Sequence, residues 1–235
     1  GNGNNGTING STGTTGISGG ALNFDGIDDY VDLGNPPNLQ PCKVTLSAWF
    51  KTTTAGGMIM RKRLYGYGLE VLSPGTVSFW IFNTDAKKFR ATSPNTYNDD
   101  SWHHAVGVYD GTTVKLYIDG IQVASASAGT LFYGTGGIAI GRDGDYSGSY
   151  FNGLIDDVRI YSKALNDQEV LGLYGLVGHW KFDEGSGVGV KDSADGNDGT
   201  ISGGTWTAGI SGGGLSFDGI DDYADFALNS KCFGF

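Results

Sequence analysis

Apolar and polar positions alternate with a period of two along most of this chain. Val44–Phe50 (VTLSAWF) alternates cleanly, and Thr76–Phe82 (TVSFWIF) does so less regularly. That period places successive side chains on opposite faces of a strand. Met58–Lys62, Gly68–Leu72 and the more polar Lys87–Thr92 are bounded by Gly and Pro and read as further strands. The sharpest local signal is Trp102–Tyr109, then Asp110-Gly111, then Val114–Ile118, then Asp119-Gly120 and Ile121–Ala124. Alternating runs joined by Asp-Gly predict tight hairpins, here a three-strand meander. Ala21–Asp25, Tyr30–Leu33, Gly137–Gly141 and Phe151–Tyr161 complete the expected strands. One segment, Leu165–Leu171, fits a helix instead. Asn166 stands as its N-cap and Glu169 three residues later, which is a capping box. About ten to fourteen short strands with regular turn signals and one stub of helix predict an all-β antiparallel sandwich.

A second pattern overlies the first. Phe24-Asp25-Gly26-Ile27-Asp28-Asp29-Tyr30 returns as Phe217-Asp218-Gly219-Ile220-Asp221-Asp222-Tyr223. The match runs without a gap from Gly3–Asp32 to Gly196–Asp225. A repeat of that length is domain-sized. It predicts one domain over 1–174 and the opening of a second over 175–235, so that the chain begins inside one copy and stops inside the next.

Composition changes this picture little. Among 235 residues, 39% are hydrophobic, enough for a core, and 42 are Gly, which suits tight turns. Charge is more selective. With 25 acidic and 15 basic residues the net charge is −10, against a nucleic-acid partner or an anionic membrane surface. No apolar run approaches the ~18 residues of a membrane-spanning helix, so membrane insertion is not expected. Cys42 and Cys232 can form one disulfide or remain two thiols. Asn5-Gly6-Thr7 and Asn9-Gly10-Ser11 fit the glycosylation sequon and suggest export.

Several chemistries are disfavoured by residue spacing. His103 and His104 are adjacent, so a strand points them to opposite faces and they cannot share a metal. No zinc spacing, phosphate loop or nucleophile elbow is found. Glu occurs only at 70, 169 and 184. The dense acids are in Asp25-Gly26-Ile27-Asp28-Asp29, a turn whose carboxylates and carbonyls suit calcium. Tyr65, Tyr67, Tyr133, Tyr146 and Tyr150 lie in Gly-rich stretches and are candidates for stacking on a sugar, whereas Trp49, Trp80 and Trp102 alternate within strands and are expected in the core.

Taken together, Leu176–Gly187, Phe24–Tyr30 with its copy, Ser47–Phe50, Trp102–Gly111, Leu116–Gly120 and Gly153–Leu165 resemble the laminin-G-like, concanavalin-A-like jelly rolls of bacterial and archaeal surface proteins. The resemblance covers 3–174 and restarts at 176. It implies two antiparallel sheets and a role in adhesion or carbohydrate binding outside the cell, with a polysaccharide or glycoprotein as partner. It also implies a structural calcium near Asp156, with Asp25 and Gly26 as neighbours, and places the opening-strand ligands at Asp183 and Glu184. Hydrolases of this fold carry Glu-x-Asp-x-Glu or Glu-x-Asp-x-x-Glu on one strand face. That run is missing, so a non-catalytic module is expected and a glycan-active hydrolase is the third choice. By the same resemblance, 177–182 is the family's first strand and Gly1–Tyr174 lacks it. That segment can fill the gap at home or in a neighbouring copy. The latter, head-to-tail strand addition, would make the chain a subunit of an extracellular fibre or filament.

Overall fold

The computed structural model describes residues 3–17, 19–143, 149–175, 180–192, 198–209 and 212–226. The chain divides into two compact units, Gly1–Tyr174 and Gly175–Phe235.

In the first unit the strands are β1 (Thr7–Asn9), β2 (Thr12–Thr15), β3 (Gly20–Asp25), β4 (Tyr30–Asp32), β5 (Val44–Lys51), β6 (Gly57–Lys62), β7 (Tyr67–Val71), β8 (Thr76–Phe82), β9 (Lys88–Thr96), β10 (His103–Tyr109), β11 (Thr113–Ile118), β12 (Ile121–Ser127), β13 (Ile138–Ile140) and β14 (Asn152–Tyr161). Helix α1 (Asp167–Gly175) follows. Two seven-stranded sheets form, in the orders β1-β4-β13-β6-β7-β8-β9 and β12-β11-β10-β5-β14-β3-β2, and every pairing is antiparallel. This is the expected concanavalin A-like jelly-roll sandwich.

The period-two residues explain why the sheets stack. One core is filled by Leu46, Ala48 and Phe50 of β5, Leu69 and Val71 of β7, and Phe79 and Ile81 of β8, all fully or almost fully buried. Turn chemistry sets the register. Asp119 and Gly120 both have positive φ, at 51° and 79°, which is the type I′ geometry the Asp-Gly pair predicts. Asp110 Oδ1 accepts the N–H of Thr112 and of Thr113 and closes the preceding hairpin.

Helix α1 begins as its capping box requires. Asn166 Oδ1 accepts the Glu169 N–H at 2.9 Å, and Glu169 Oε2 accepts the Asn166 N–H at 2.9 Å. Its Val170 packs with Leu165, Val106, Val108 and Tyr117 in a second cluster, so the β10–β11 face turned away from the main core is covered. On the same face Trp49, His104 and Tyr174 form a mutually stacked trio, with centroids 5.0 Å (Trp49–His104), 5.6 Å (Trp49–Tyr174) and 6.2 Å (His104–Tyr174) apart.

In the second unit β15 (Gly189–Val190), β16 (Gly199–Ser202), β17 (Thr205–Ala208), β18 (Gly213–Ser216) and β19 (Tyr223–Phe226) form a three-stranded sheet, β15-β16-β19, and the hairpin β17-β18. The sequence repeat reappears as a structural one. Ile8 faces Val31 in β1–β4, and Ile201 faces Ala224 in β16–β19, the same register. Thr12 faces Asn23 in β2–β3, and Thr205 faces Ser216 in β17–β18.

Candidate functional site

The first sheet turns one face to the core through Val31, Ile138, Leu69, Phe79 and Ala91. Its other face collects the charged residues. Register alone builds a lateral row across it: Asp32 beside Ala139, Ala139 beside Arg61, Arg61 beside Gly68, Gly68 beside Trp80, and Trp80 beside Arg90. Glu70 lies in the adjoining row opposite Ser78, and Phe82 pairs with Lys88 on the other side.

Trp80 is the floor of this face. It is 1% exposed, although it does not point into the main core. What hides it is polar. Lys88 Nζ stands 4.1 Å from the ring centroid and the Arg61 guanidinium carbon 5.3 Å. Cations over an indole face are favoured by its quadrupole, more so when partly desolvated. Gly68 makes the seat. A Cβ there would lie 2.3 Å from Trp80 Cζ2, so only glycine lets the indole lie against β7. The Trp80 indole Nε1 is buried without a hydrogen-bond acceptor.

Electrostatics tie the cluster together. Glu70 Oε1 accepts from Arg90 Nη2 at 3.0 Å and lies 3.5 Å from Lys88 Nζ. Arg61 pairs with Asp143. Burial lowers the Lys88 pKa to about 8, and the cations Arg90 and Arg61 push the same way, while Glu70 opposes them. Arg142 covers Tyr30 of β4 with its guanidinium carbon 3.4 Å from the ring centroid. Four cations therefore converge on one face of a chain whose net charge is −10.

Two hollows flank this row. At the Glu70 end a cleft of about 400 Å³ is lined by Ala55, Gly56, Glu70, Ser73, Tyr150 and Asn152. Gly57 permits it, because with φ at +134° its backbone passes so close to Phe151 that a Cβ would sit 2.9 Å from the Phe151 Cα. At the β1–β4 end a hollow of about 450 Å³ is lined by Asn5, Thr7, Asn9, Tyr30, Asp32 and Gly34. The two sequon asparagines are thus neighbours on one hollow.

The expected sugar-stacking tyrosines divide. Tyr67 is a core residue, fully buried, with its hydroxyl donating to the Leu39 carbonyl at 2.9 Å and its pKa raised by burial. Tyr133 is structural too. Its hydroxyl donates to the Pro41 carbonyl at 2.7 Å and its ring meets Tyr67 edge-on. These two expectations are corrected: a Gly-rich neighbourhood did not mark exposure, because both hydroxyls found backbone acceptors inside. Tyr65 is exposed and packs against Phe82 and Phe132, at the far end of β8 from Glu70. Tyr150 lines the Glu70 cleft. Tyr146 lies outside the described residues. Of the tryptophans, Trp80 is buried as expected, yet away from the main core, while Trp49 and Trp102 are half-buried. Sequence reasoning missed the cations around Trp80. The signal was present in the register of Arg61, Gly68, Trp80 and Arg90, but strand pairing had to be known to read it.

The expected calcium ligands do not converge as a set. Asp25 faces Asn152 across the β3–β14 ladder. Asp156 is four residues further along β14, roughly 13 Å at strand rise. There its Oδ2 accepts the Ile17 N–H at 2.9 Å and its Oδ1 the Asp157 N–H at 2.7 Å. Asp183 and Glu184 lie in the second unit, accepting the Gly213 and Lys191 N–H groups. The carboxylates that do meet are Asp25, Asp28 and Asp29, each offering an oxygen within 4.8 Å of the others. Part of that capacity is spent on the turn itself. Asp25 Oδ1 accepts the Ile27 N–H, and Asp29 Oδ2 accepts the Asp25 N–H. Gly26, with φ at +79°, supplies the bend. Asp218, Asp221 and Asp222 repeat the arrangement in the second unit. The carboxylate oxygens not used by either turn, those of Asp28 foremost, are the ones a hard cation would take up.

His103 and His104 do face opposite ways. His103 Nδ1 pairs with Asp119 at 2.8 Å and its Nε2 with Asp99 at 3.2 Å, whereas His104 Nε2 meets Ser47 Oγ at 2.8 Å. Cys42 is an exposed thiol, and Cys232 lies outside the described residues, as does the first part of the 177–182 strand. Among the described residues no helix is long and apolar enough to cross a membrane.

Known proteins share this architecture. The chain is 24% identical over 140 residues to a zebrafish (Danio rerio) adhesion G-protein coupled receptor V1, a match covering 54% of the chain and 2% of that receptor's length. Domain 4 of AbnA, a GH43 extracellular arabinanase from Geobacillus stearothermophilus solved in complex with arabinotriose, superimposes with a TM-score of 0.60 at 21% identity, over 72% of this chain and 88% of that one. The CBM40 module of the Ruminococcus gnavus IT-sialidase, bound to α2,3 sialyllactose, does so with a TM-score of 0.55 at 18% identity, over 66% of this chain and 96% of that one. Residues 25–171 match the family model of the concanavalin A-like lectin/glucanases superfamily. With more than half its length matched and both sheets in place, the chain belongs to that superfamily.

Proposed function

We propose that this chain is a non-catalytic carbohydrate-binding module of a repeated extracellular or cell-surface protein, acting in adhesion, and that it takes its ligand on the Trp80 face. The observation that carries this reading is Trp80 lying flat beneath Arg61 and Lys88, with Arg90 beside them. An aromatic floor ringed by cations suits a sugar bearing a carboxylate or sulfate. The indole, buried beneath them, holds the cations in place, and the guanidinium groups meet the anion by paired hydrogen bonds. The sugars bound by the arabinanase domain and the sialidase module lend support to a glycan as the ligand class.

A hydrolytic reading is the weaker one. Glycoside hydrolysis needs two carboxyl groups placed about a scissile bond, one of them poised as an acid. On this face Glu70 is held by Arg90 and Lys88, and Asp143 by Arg61. Both carboxylates are thus engaged by cations and not set as a pair about an open cleft. Calcium belongs to the proposal as a structural ion at the Asp25–Asp29 turn.

A glycan array carrying neutral, carboxylated and sulfated saccharides tests the function. Enrichment of acidic sugars, lost in Arg90→Gln, is the expected result. Binding to none of them, or equal binding by the variant, would overturn it.

A further inference from the structure

The cleft at the Glu70 end differs in chemistry from the cation row it adjoins. Its volume of about 400 Å³ falls in the range of small-ligand pockets. Glu70, Ser73, Ser149, Tyr150 and Asn152 line it, and no Lys or Arg does so among the described residues. Glu70 belongs to both places. It follows Gly68, the seat of Trp80, by two residues of β7, on the same face and roughly 7 Å away at strand rise. Arg90 Nη2 and Lys88 Nζ both meet its Oε1, at 3.0 and 3.5 Å, and its Oε2 has no partner among the described residues.

The walls are held before any ligand arrives. Asn152 Nδ2 donates to the Asp25 carbonyl at 3.0 Å, the Thr52 hydroxyl to the Asn152 carbonyl at 2.6 Å, and the Met58 N–H to the Ser149 carbonyl at 3.2 Å. Gly26 lies against the same wall, where a Cβ would come 2.8 Å from Asn152 Cβ. A pocket fixed in this way spares a ligand part of the ordering cost of binding. The groups it presents are mixed. The hydroxyls of Ser73 and Ser149 can donate or accept, Tyr150 adds a ring with a polar tip, and the Glu70 carboxylate only accepts. Such a lining repels an anion and suits the hydroxyls and apolar ring face of an uncharged sugar, whereas the row beside it attracts an anion.

We propose that this cleft is a second sugar subsite, taking an uncharged, hydroxyl-rich unit, and that the ligand is accordingly a polysaccharide in which neutral and acidic units adjoin. The acidic unit lies at Arg61 and Arg90, and the neutral unit beyond Glu70 donates its hydroxyls to Oε2. Hydrogen bonds to an ionised acceptor are about twice as strong as neutral ones. Tyr150 packs against the ring of the neutral unit. This rests on the reading of the Trp80 face as an acidic-sugar site and names the class of polymer that the site takes.

The test titrates the full chain with acidic tetrasaccharides of two kinds. Those of hyaluronan and unsulfated chondroitin alternate acidic with neutral units, whereas tetragalacturonate and tetramannuronate are acidic throughout. Calorimetry should show the alternating kind bound more tightly by about tenfold, the worth of one good aromatic contact. Tyr150→Ala should erase that preference at unchanged circular dichroism. Ala55→Trp, which fills the cleft from an exposed position, should do the same if Tyr150→Ala fails to fold. Arg90→Gln should instead weaken both kinds alike, which separates the two claims. If it does so while the preference is missing, reversed or kept by the folded cleft variants, the acidic-sugar reading stands and the second subsite is overturned. If neither kind binds the wild type, both are overturned.

Discussion

Lys88 Nζ lies 4.1 Å from the centre of the Trp80 ring and 3.5 Å from Glu70 Oε1, so one ammonium both caps the indole and neutralises the carboxylate. Burial and two neighbouring guanidiniums depress its pKa to about 8. The sign follows from proton counting. Between pH 8 and 10.5 the unfolded chain holds a proton on this lysine that the folded one has lost, so stability rises with pH across that window. Lys88→Met keeps the stem over Trp80 and removes the charge. The variant should lose the rise, worth about 1 kcal/mol or less after screening of a partly exposed group. Thermal melts of both proteins between pH 7.5 and 9.5 check this; parallel curves would show that Lys88 is not the group responsible. An acidic saccharide should also bind the wild type less tightly as pH passes 8.

Gly68→Ala probes the seat of the same ring. Its Cβ would fall 2.3 Å from Trp80 Cζ2, so the indole must move. Overpacking of this kind costs about 1–3 kcal/mol, or roughly 2–4 °C in Tm for each kcal/mol in a chain of this size. Trp80 leaves the cation pair when it moves. The expected outcome is a lower Tm with an altered tryptophan emission spectrum and weakened glycan binding. Unchanged binding in a folded variant would remove Trp80 from the site.

These two residues show how far the sequence could be read. Strands β3 to β14, the hairpins at Asp110-Gly111 and Asp119-Gly120, and the capping box of Asn166 and Glu169 rest on local chemistry and stand where it places them, whereas β1 and β2 lie in a Gly-, Asn- and Thr-rich stretch with no apolar alternation to mark them. Trp80 was legible as a strand residue but not as the floor of a cationic face. Arg61, Gly68 and Arg90 reach it only through pairings of β6, β7, β8 and β9, which no local pattern records. Tyr67 and Tyr133 failed as surface candidates for a related reason. Their hydroxyls are satisfied by Leu39 and Pro41 carbonyls from a distant part of the chain. Asp25 and Asp156 were joined by resemblance and are separated by the ladder register of β3 and β14.

Calcium can be tested at the turn where the carboxylates do meet. Asp25, Asp28 and Asp29 lie within reach of one ion, and like charges so close repel when no cation is there. A ligand that binds only the folded chain adds about 2.7 kcal/mol at a hundred times its Kd. Calcium should therefore raise the Tm and a chelator should lower it, and Asp28→Asn should blunt the difference. Asp156→Asn should leave the calcium response in place, since Asp156 serves the Ile17 loop instead. Identical melts with calcium and with chelator would remove the ion.

His104 makes the chain sensitive to mild acid. Its ring is 1% exposed, stacked on Trp49, and bonded to Ser47 Oγ at 2.8 Å. Burial lowers its pKa to about 4, with Arg159 pushing the same way against the opposing pull of Asp119. Between pH 4 and 6.5 the unfolded chain takes up a proton that the folded chain refuses. Stability is then lost as pH falls below 6.5, by about 3 kcal/mol at most. His103 works in the opposite sense. Its hydrogen bond to Asp119 raises its pKa, against the opposing effect of burial, so it stabilises the fold at low pH and gives that up as pH rises through its folded value. The two variants separate these effects. His104→Gln keeps a partner for Ser47 and should flatten the acid-side loss, while His103→Asn should lower stability throughout the acid range by an amount that shrinks as pH rises above 6.5. Urea midpoints measured from pH 4.5 to 7 decide the matter, and a His104→Gln curve that falls as steeply as the wild type would place the acid-sensitive group elsewhere.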